Sequence, residues 1–188
     1  MDYTPIYKKI DEMMCDKKNF IVAIDGCCAA GKTTLAASIK ARYDCNVFTT
    51  DDFFLQPHQR TPERFAEPGG NVDYERFYNE VIVPLPGGAP FAYRPYDCGV
   101  QALAAPIDVR PTLLSVVEGA YCMHPSFGNV YDIKVFMSID PDEQRRRLLA
   151  RNPALYERFV NEWIPMEHAY FDAFGIRSQC DFHFSAEK

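Results

Sequence analysis

The sequence predicts an α/β fold, a three-layer sandwich with a mainly parallel central sheet and helices on both faces. Three observations predict it. Short apolar, β-branched runs alternate with stretches whose apolar residues recur at helical spacing, the pattern of parallel strands joined by right-handed helical crossovers. A glycine-rich turn, Gly26 to Thr33, links the first of these runs to the helix that follows it. Carboxylates stand at the ends of the runs, Asp25, Asp51 and Asp52, Glu118 and Asp140, where ligands collect in a parallel sheet.

In chain order, residues 3–17 mix Asp, Lys, Tyr and Ile and read as an amphipathic helix. Phe20-Ile21-Val22-Ala23-Ile24 is a buried strand closing at Asp25, and residues 32–43 form a helix. A second strand, 45–50, runs into Asp51-Asp52. Residues 55–72 are rich in Pro, Gly, Arg and Glu and read as an irregular loop. Residues 73–83 read as a helix, because Asp73 can cap it and Phe77 and Val81 share a face. Five further Pro and a Pro-Gly-Gly make 84–111 a loop or short hairpin. Strands follow at 113–117 and 133–139, a basic helix at 141–151, a longer aromatic helix at 154–174 and a last short strand at 180–185.

The turn Gly26-Cys27-Cys28-Ala29-Ala30-Gly31-Lys32-Thr33 spells G-x-x-x-x-G-K-[ST], which makes the fold that of a P-loop NTPase. Between a buried strand and a helix start, the turn's amides point inward and cradle nucleotide phosphates. Gly26 to Thr34 are the nucleotide-binding residues, with Lys32 reaching the β- and γ-phosphates and the Thr33 hydroxyl on Mg²⁺. Small side chains at positions 27–30 suit a tight nest. Carboxylates at neighbouring strand ends fit phosphoryl transfer, in which Lys and Mg²⁺ neutralise charge and a carboxylate orients the acceptor hydroxyl and takes its proton. A GTP-dependent switch is excluded, since no Asn-Lys-x-Asp guanine motif is present.

Bulk properties agree. A chain of 188 residues with 14 Phe and 11 Tyr can fill one domain with a full sheet and two helical layers. A net charge of −6 argues against a nucleic-acid partner held by phosphate contacts, but not against small anions bound locally. No apolar run reaches membrane-spanning length, and no secretory signal opens the sequence. The seven cysteines (15, 27, 28, 45, 98, 122, 180) are odd in number and contain no C-x-x-C pair, so a disulfide framework or zinc site is not expected. They read as small apolar fillers in a reducing cytosol, and a cytoplasmic location is expected.

Five ordered segments resemble the uridine kinase / phosphoribulokinase family of P-loop kinases: the loop 26–34, Thr50-Asp51-Asp52-Phe53-Phe54, Gly70-Asn71-Val72-Asp73, Tyr93-Arg94-Pro95-Tyr96-Asp97 and Val117-Glu118-Gly119. The resemblance runs from about Phe20 to Arg151. It implies one kinase domain over 1–188, with an acceptor-binding insertion at about 55–111 and a short lid at about 142–153. It implies ATP and Mg²⁺ as cofactors and transfer of the γ-phosphate to a small-molecule hydroxyl, first the 5′-hydroxyl of uridine or cytidine. Pantothenate-like or sugar-phosphate acceptors, and a non-catalytic ATP-binding regulator, are the alternatives.

By the same resemblance Asp51 is the catalytic base, although on sequence grounds Asp52 is an alternative. Asp73 matches the ribose-binding Asp and Tyr96 the base-contacting Tyr, with Arg94 beside it facing the acceptor. Glu118 joins Thr33 at Mg²⁺, while Arg147 and Arg151, four apart on one helix face, act with Lys32 on the transferred phosphate. The family also hints at a homo-oligomer. The sequence departs from the family at three places: the lid lacks an Arg-Gly pair, Cys98-Gly99-Val100 rather than a base-recognising His comes directly after Asp97, and 56–70 is atypical.

Overall fold

The computed structural model describes residues 1–16 and 18–186. Along the chain run α1 (Thr4–Cys15), β1 (Phe20–Gly26), α2 (Lys32–Arg42), β2 (Cys45–Thr49), α3 (Pro62–Ala66) and α4 (Tyr74–Phe77). Four short strands follow, β3 (Phe91–Tyr93), β4 (Tyr96–Asp97), β5 (Ala102–Leu103) and β6 (Ile107–Val109). The chain then forms β7 (Leu114–Glu118), β8 (Ile133–Ile139), α5 (Pro141–Arg151), α6 (Tyr156–Arg158), α7 (Ile164–Phe174) and β9 (Phe182–Ala186).

The central sheet has five strands in the order β2-β7-β1-β8-β9, and every neighbouring pair is parallel, as the α/β reading expects. Alternation along β1 divides the core. Phe20, Val22 and Ile24 face Ile6 and Ile10 of α1 and Leu35 and Ile39 of α2. Ile21 and Ala23 face the other way, into a layer that includes Phe53, Phe77, Phe127, Tyr170 and Phe171. All seven residues of β1 are buried, so an apolar run rather than an apolar–polar alternation is what its sequence shows.

Register brings the functional ends together. Ile24 and Thr49 both lie beside Glu118, and Gly26 lies beside Met137. The carboxyl ends of β1, β2, β7 and β8 therefore open on one edge of the sheet.

The structure departs from the expected elements where local chemistry intervenes. The first helix ends at Cys15, and the expected end at Lys17 lies outside the described residues. The expected loop at 55–72 contains a 3₁₀ turn, Pro57–Gln59, and α3, each started by a capping side chain and a proline. Thr61 accepts the Arg64 N–H at 3.2 Å at the start of α3. The expected hairpin at 84–111 is two nested antiparallel pairs, β3 with β6 and β4 with β5. The long aromatic helix is broken into a 3₁₀ turn (Pro153–Leu155), α6, a π turn (Phe159–Trp163) and α7. Pro165 sits at the start of α7 and has no N–H for the preceding turn, which widens around it. Among the described residues no helix is long and apolar enough to cross a membrane.

Candidate active site

The phosphate loop is shaped by its first glycine. Gly26 has φ 132°, and a Cβ there would lie 2.1 Å from the Met137 carbonyl oxygen of β8. The loop then turns through Ala29 at φ 61° and Gly31 at φ 102°. Gly31 is the N-cap of α2 and has no side chain to cap it, so the amides at the helix start are left for a ligand. Lys32 is buried and donates from Nζ to the carbonyls of Gly26 at 2.7 Å and Cys27 at 3.0 Å. Burial alone would lower its pKa, but the negative charges of Glu167 and Asp25 outweigh this and raise it.

Thr33 stands one residue further along α2, and its hydroxyl donates to Glu118 Oε1 at 3.1 Å. Glu118 is buried at the end of β7. Burial pushes its carboxyl up, Lys32 pulls it down, and Asp51 pushes it up again. Thr33, Glu118 and the nearby Asp51 are an all-oxygen donor set with two carboxylates, and such a set suits Mg²⁺. Among the described residues no three His, Cys, Asp or Glu side chains converge as a metal cage. Mg²⁺ in phosphoryl-transfer sites is held by one or two carboxylates plus substrate phosphates, so the donors present fit it.

Asp51 is exposed at the start of a 3₁₀ turn, Thr50–Phe53, where Thr49 Oγ1 accepts its N–H at 3.2 Å. Asp52 turns the other way and accepts the Tyr93 hydroxyl at 3.3 Å. The two candidate bases thus separate: Asp51 lines a cleft of about 740 Å³ and Asp52 does not. The same cleft is lined by Lys32, Thr33, Glu118, Arg147 and Arg151. Phosphate loop, candidate metal donors, candidate base and basic helix therefore meet in one space.

Glu143 organises the arginines of α5. It accepts Arg146 Nε and Nη2, each at 2.7 Å, and Arg147 Nε at 2.7 Å, and these two partners hold its carboxyl down at about 2. Arg147 also donates to the Ala29 carbonyl at 3.1 Å, tying α5 to the phosphate loop. Arg151 lies over the Phe159 ring, 5.5 Å from its centroid. Arg146, which the sequence reading leaves aside, lines the cleft too.

Three expected acceptor contacts are not brought to this cleft. Asp73 is buried at the start of α4, where Oδ1 accepts the Arg76 N–H at 3.1 Å. It caps the helix, and its neighbour Asn71 lines the cleft instead. Tyr96 is buried in the small hairpin, accepting Arg60 Nη2 at 2.9 Å and donating to Gln101 Oε1 at 3.0 Å. Arg94 spends its guanidinium on the carbonyls of Ala104 and Leu103 at 2.8 and 2.9 Å. Two of the strand-end carboxylates are also structural. Asp25 is fully buried and accepts from Gly26 N–H, Met123 N–H and Tyr170 O–H at 2.7, 3.0 and 2.8 Å. Asp140 caps α5 through the N–H groups of Asp142 and Glu143.

The cleft has residues that no motif announces. Phe54, Tyr121, Phe159 and Trp163 give it aromatic walls. Asn71 Oδ1 is buried there without a hydrogen-bond partner. Tyr121 holds φ 72°, a left-handed conformation unusual for an aromatic residue. Glu167, on α7, is buried and accepts the Cys28 N–H of the phosphate loop at 2.9 Å. The available signal was one of four acids on the expected helix 154–174, whose 163, 170, 171 and 174 positions are aromatic. Burial raises the thiols of Cys27 to about 11 and of Cys28 higher still, so neither is a ready thiolate.

The fold is that of known P-loop kinases. A possible uridine kinase from Bacillus stearothermophilus superposes with a TM-score of 0.67 at 17% identity, over 94% of this chain and 99% of that one. A D-glycerate 3-kinase from Cryptococcus neoformans superposes with a TM-score of 0.62 at 11% identity, over 99% and 96%. No protein-family model matches the sequence, and no curated protein does.

Proposed function

We propose that this protein is a Mg²⁺- and ATP-dependent kinase that phosphorylates a hydroxyl of a small molecule, with the 5′-hydroxyl of uridine or cytidine as the leading acceptor. One observation carries the reading: the phosphate loop, Asp51, Glu118 and the α5 arginines line a single cleft. Phosphoryl transfer needs little covalent help from a protein, and its barrier is lowered by holding donor and acceptor in line and neutralising the charge on the transferred group.

In this reading the amides of 28–33 and Lys32 Nζ hold the triphosphate tail, Lys32 leaving the carbonyls of Gly26 and Cys27 to do so. Thr33 Oγ1 and Glu118 would hold Mg²⁺, which would supply charge neutralisation. Asp51 accepts the proton of the attacking hydroxyl as the O–P bond forms and the bond to the departing ADP oxygen breaks. Arg147 and Arg151 stabilise the negative charge on the equatorial oxygens.

The aromatic walls support a nucleoside acceptor, because flat rings stack on Phe54, Phe159 and Trp163 with little ordering entropy. The fold is shared by a possible uridine kinase and a D-glycerate 3-kinase, so the fold by itself does not choose between a nucleoside and a hydroxy acid. The test is incubation of the protein with MgATP and a pool of nucleosides, pantothenate and sugar phosphates, read by mass spectrometry. A phosphorylated nucleoside is expected. Phosphorylation of another pool member would move the acceptor, and ATP consumption indifferent to the pool would remove the kinase reading.

A further inference from the structure

Glu167 occupies an unusual position for an acid. Phosphate loops present N–H groups to anions, and one of those donors, Cys28 N–H, is satisfied at 2.9 Å by Glu167 Oε2. The other side of the same residue is also captured, since Gln144 Nε2 donates to the Cys28 carbonyl at 3.0 Å. Glu167 lines the cleft beside Lys32 and is 5% exposed. A carboxylate is the side-chain group closest to a phosphate in charge and acceptor geometry.

We propose that Glu167 is an internal stand-in for a phosphate group, seated in the loop and exchanged for the nucleotide's own phosphate when ATP binds. The proposal rests on the kinase reading only in taking the loop as a phosphate site. The charges facing Glu167 act against one another: Lys32 favours its carboxylate, while Asp25 disfavours it. Lys32, whose Nζ is held by the carbonyls of Gly26 and Cys27, keeps an anion nearby whether the seat holds the carboxylate or a phosphate. The π turn Phe159–Trp163 ends where α7 begins, three residues before Glu167, and a wide turn of this kind is a place where helix register can reset. While the seat is filled, only the fraction of molecules with Glu167 swung out is competent, and the apparent affinity falls by that fraction.

The probe is inorganic tripolyphosphate, titrated calorimetrically into wild type, Glu167→Gln, Glu167→Ala and Glu162→Gln. Glu162 is an exposed acid on the adjoining π turn and serves as a charge control. Both Glu167 variants should bind at least about tenfold tighter than wild type, the Ala variant at least as tightly as the Gln variant, with Glu162→Gln within about twofold. If wild type binds and the Glu167 variants bind equally or more weakly, or if Glu162→Gln tightens binding as much, the stand-in is overturned and the kinase reading stands. If no protein in the set binds tripolyphosphate, the loop is not a phosphate site and both fall. Glu167→Gln keeps the side-chain volume, so it decides the matter even if Glu167→Ala does not fold.

Discussion

Thr33 Oγ1 donates to Glu118 Oε1 at 3.1 Å, joining the start of α2 to the end of β7. The contact puts a hydroxyl and a carboxylate on one spot beside the phosphate loop. If that spot holds Mg²⁺, Glu118→Gln should raise the Mg²⁺ concentration for half-maximal activity by about 10–100-fold. Thr33→Ala should act in the same direction. Activity measured against Mg²⁺ concentration checks this, and an unchanged midpoint in both variants removes these residues from the metal.

The same sheet edge contains a second acid with a different job. Among the described residues Asp25 has three donors and no exposure, and Tyr170 supplies the only side-chain one. Tyr170→Phe leaves a buried carboxylate oxygen one hydrogen bond short, at a cost of about 1–3 kcal/mol. Urea unfolding reads this. A variant as stable as wild type would mean that Asp25 is neutral and needs no third donor.

Much of the site was legible locally, and what was not depends on distant partners. The loop between β1 and α2 is written in consecutive residues, and periodicity finds the elements on either side. Asp51 and Glu118 follow from their places at strand ends. Asp73 shows why local pattern stops short: an acid before a helix looks the same whether it caps or binds, and only the packed structure shows the Arg76 N–H on its oxygen. Tyr96 and Arg94 lie outside the cleft for a related reason, since the partners that hold them, Arg60 and the carbonyls of Leu103 and Ala104, are set by the packed fold. Glu167 was missed because its partner Cys28 lies 139 positions away, and nothing in an aromatic helix announces a contact at that range.

Glu167 also makes a pH prediction. Burial raises its carboxyl from 4.5 to about 6, even though Lys32 and the Cys28 N–H pull it down. A raised carboxylate means the fold disfavours the charged form. Below the unfolded value of 4.5 the group is neutral in both states and carries no penalty. Between 4.5 and about 6 the native state binds more protons than the unfolded chain, so stability falls as pH rises, by about 2 kcal/mol in all. Glu167→Gln cannot ionise. The stability of wild type minus that of Glu167→Gln, from urea titrations at several pH values, should fall by this amount across the window; a flat difference contradicts it.

Gly26→Ala tests the shape of the loop. The new Cβ would sit 2.1 Å from the Met137 carbonyl oxygen, at a φ that L side chains rarely adopt. Because the obstacle is backbone of the central sheet, no side chain can move aside. The expected outcome is loss of nucleotide binding with a stability loss of more than about 1 kcal/mol. Binding and unfolding midpoints equal to wild type would show that the loop is not built as described.

The most direct measurement is the initial rate of ADP formation from MgATP, with and without the acceptor found by mass spectrometry, in wild type and Asp51→Asn. Wild type should be strongly acceptor-dependent, and Asp51→Asn should lose about 10²–10⁴ of that rate while binding ATP within a few-fold of wild type. An Asp51→Asn protein that turns over normally, or a wild type whose rate ignores the acceptor, would contradict a cleft that brings phosphate and hydroxyl together beside Asp51.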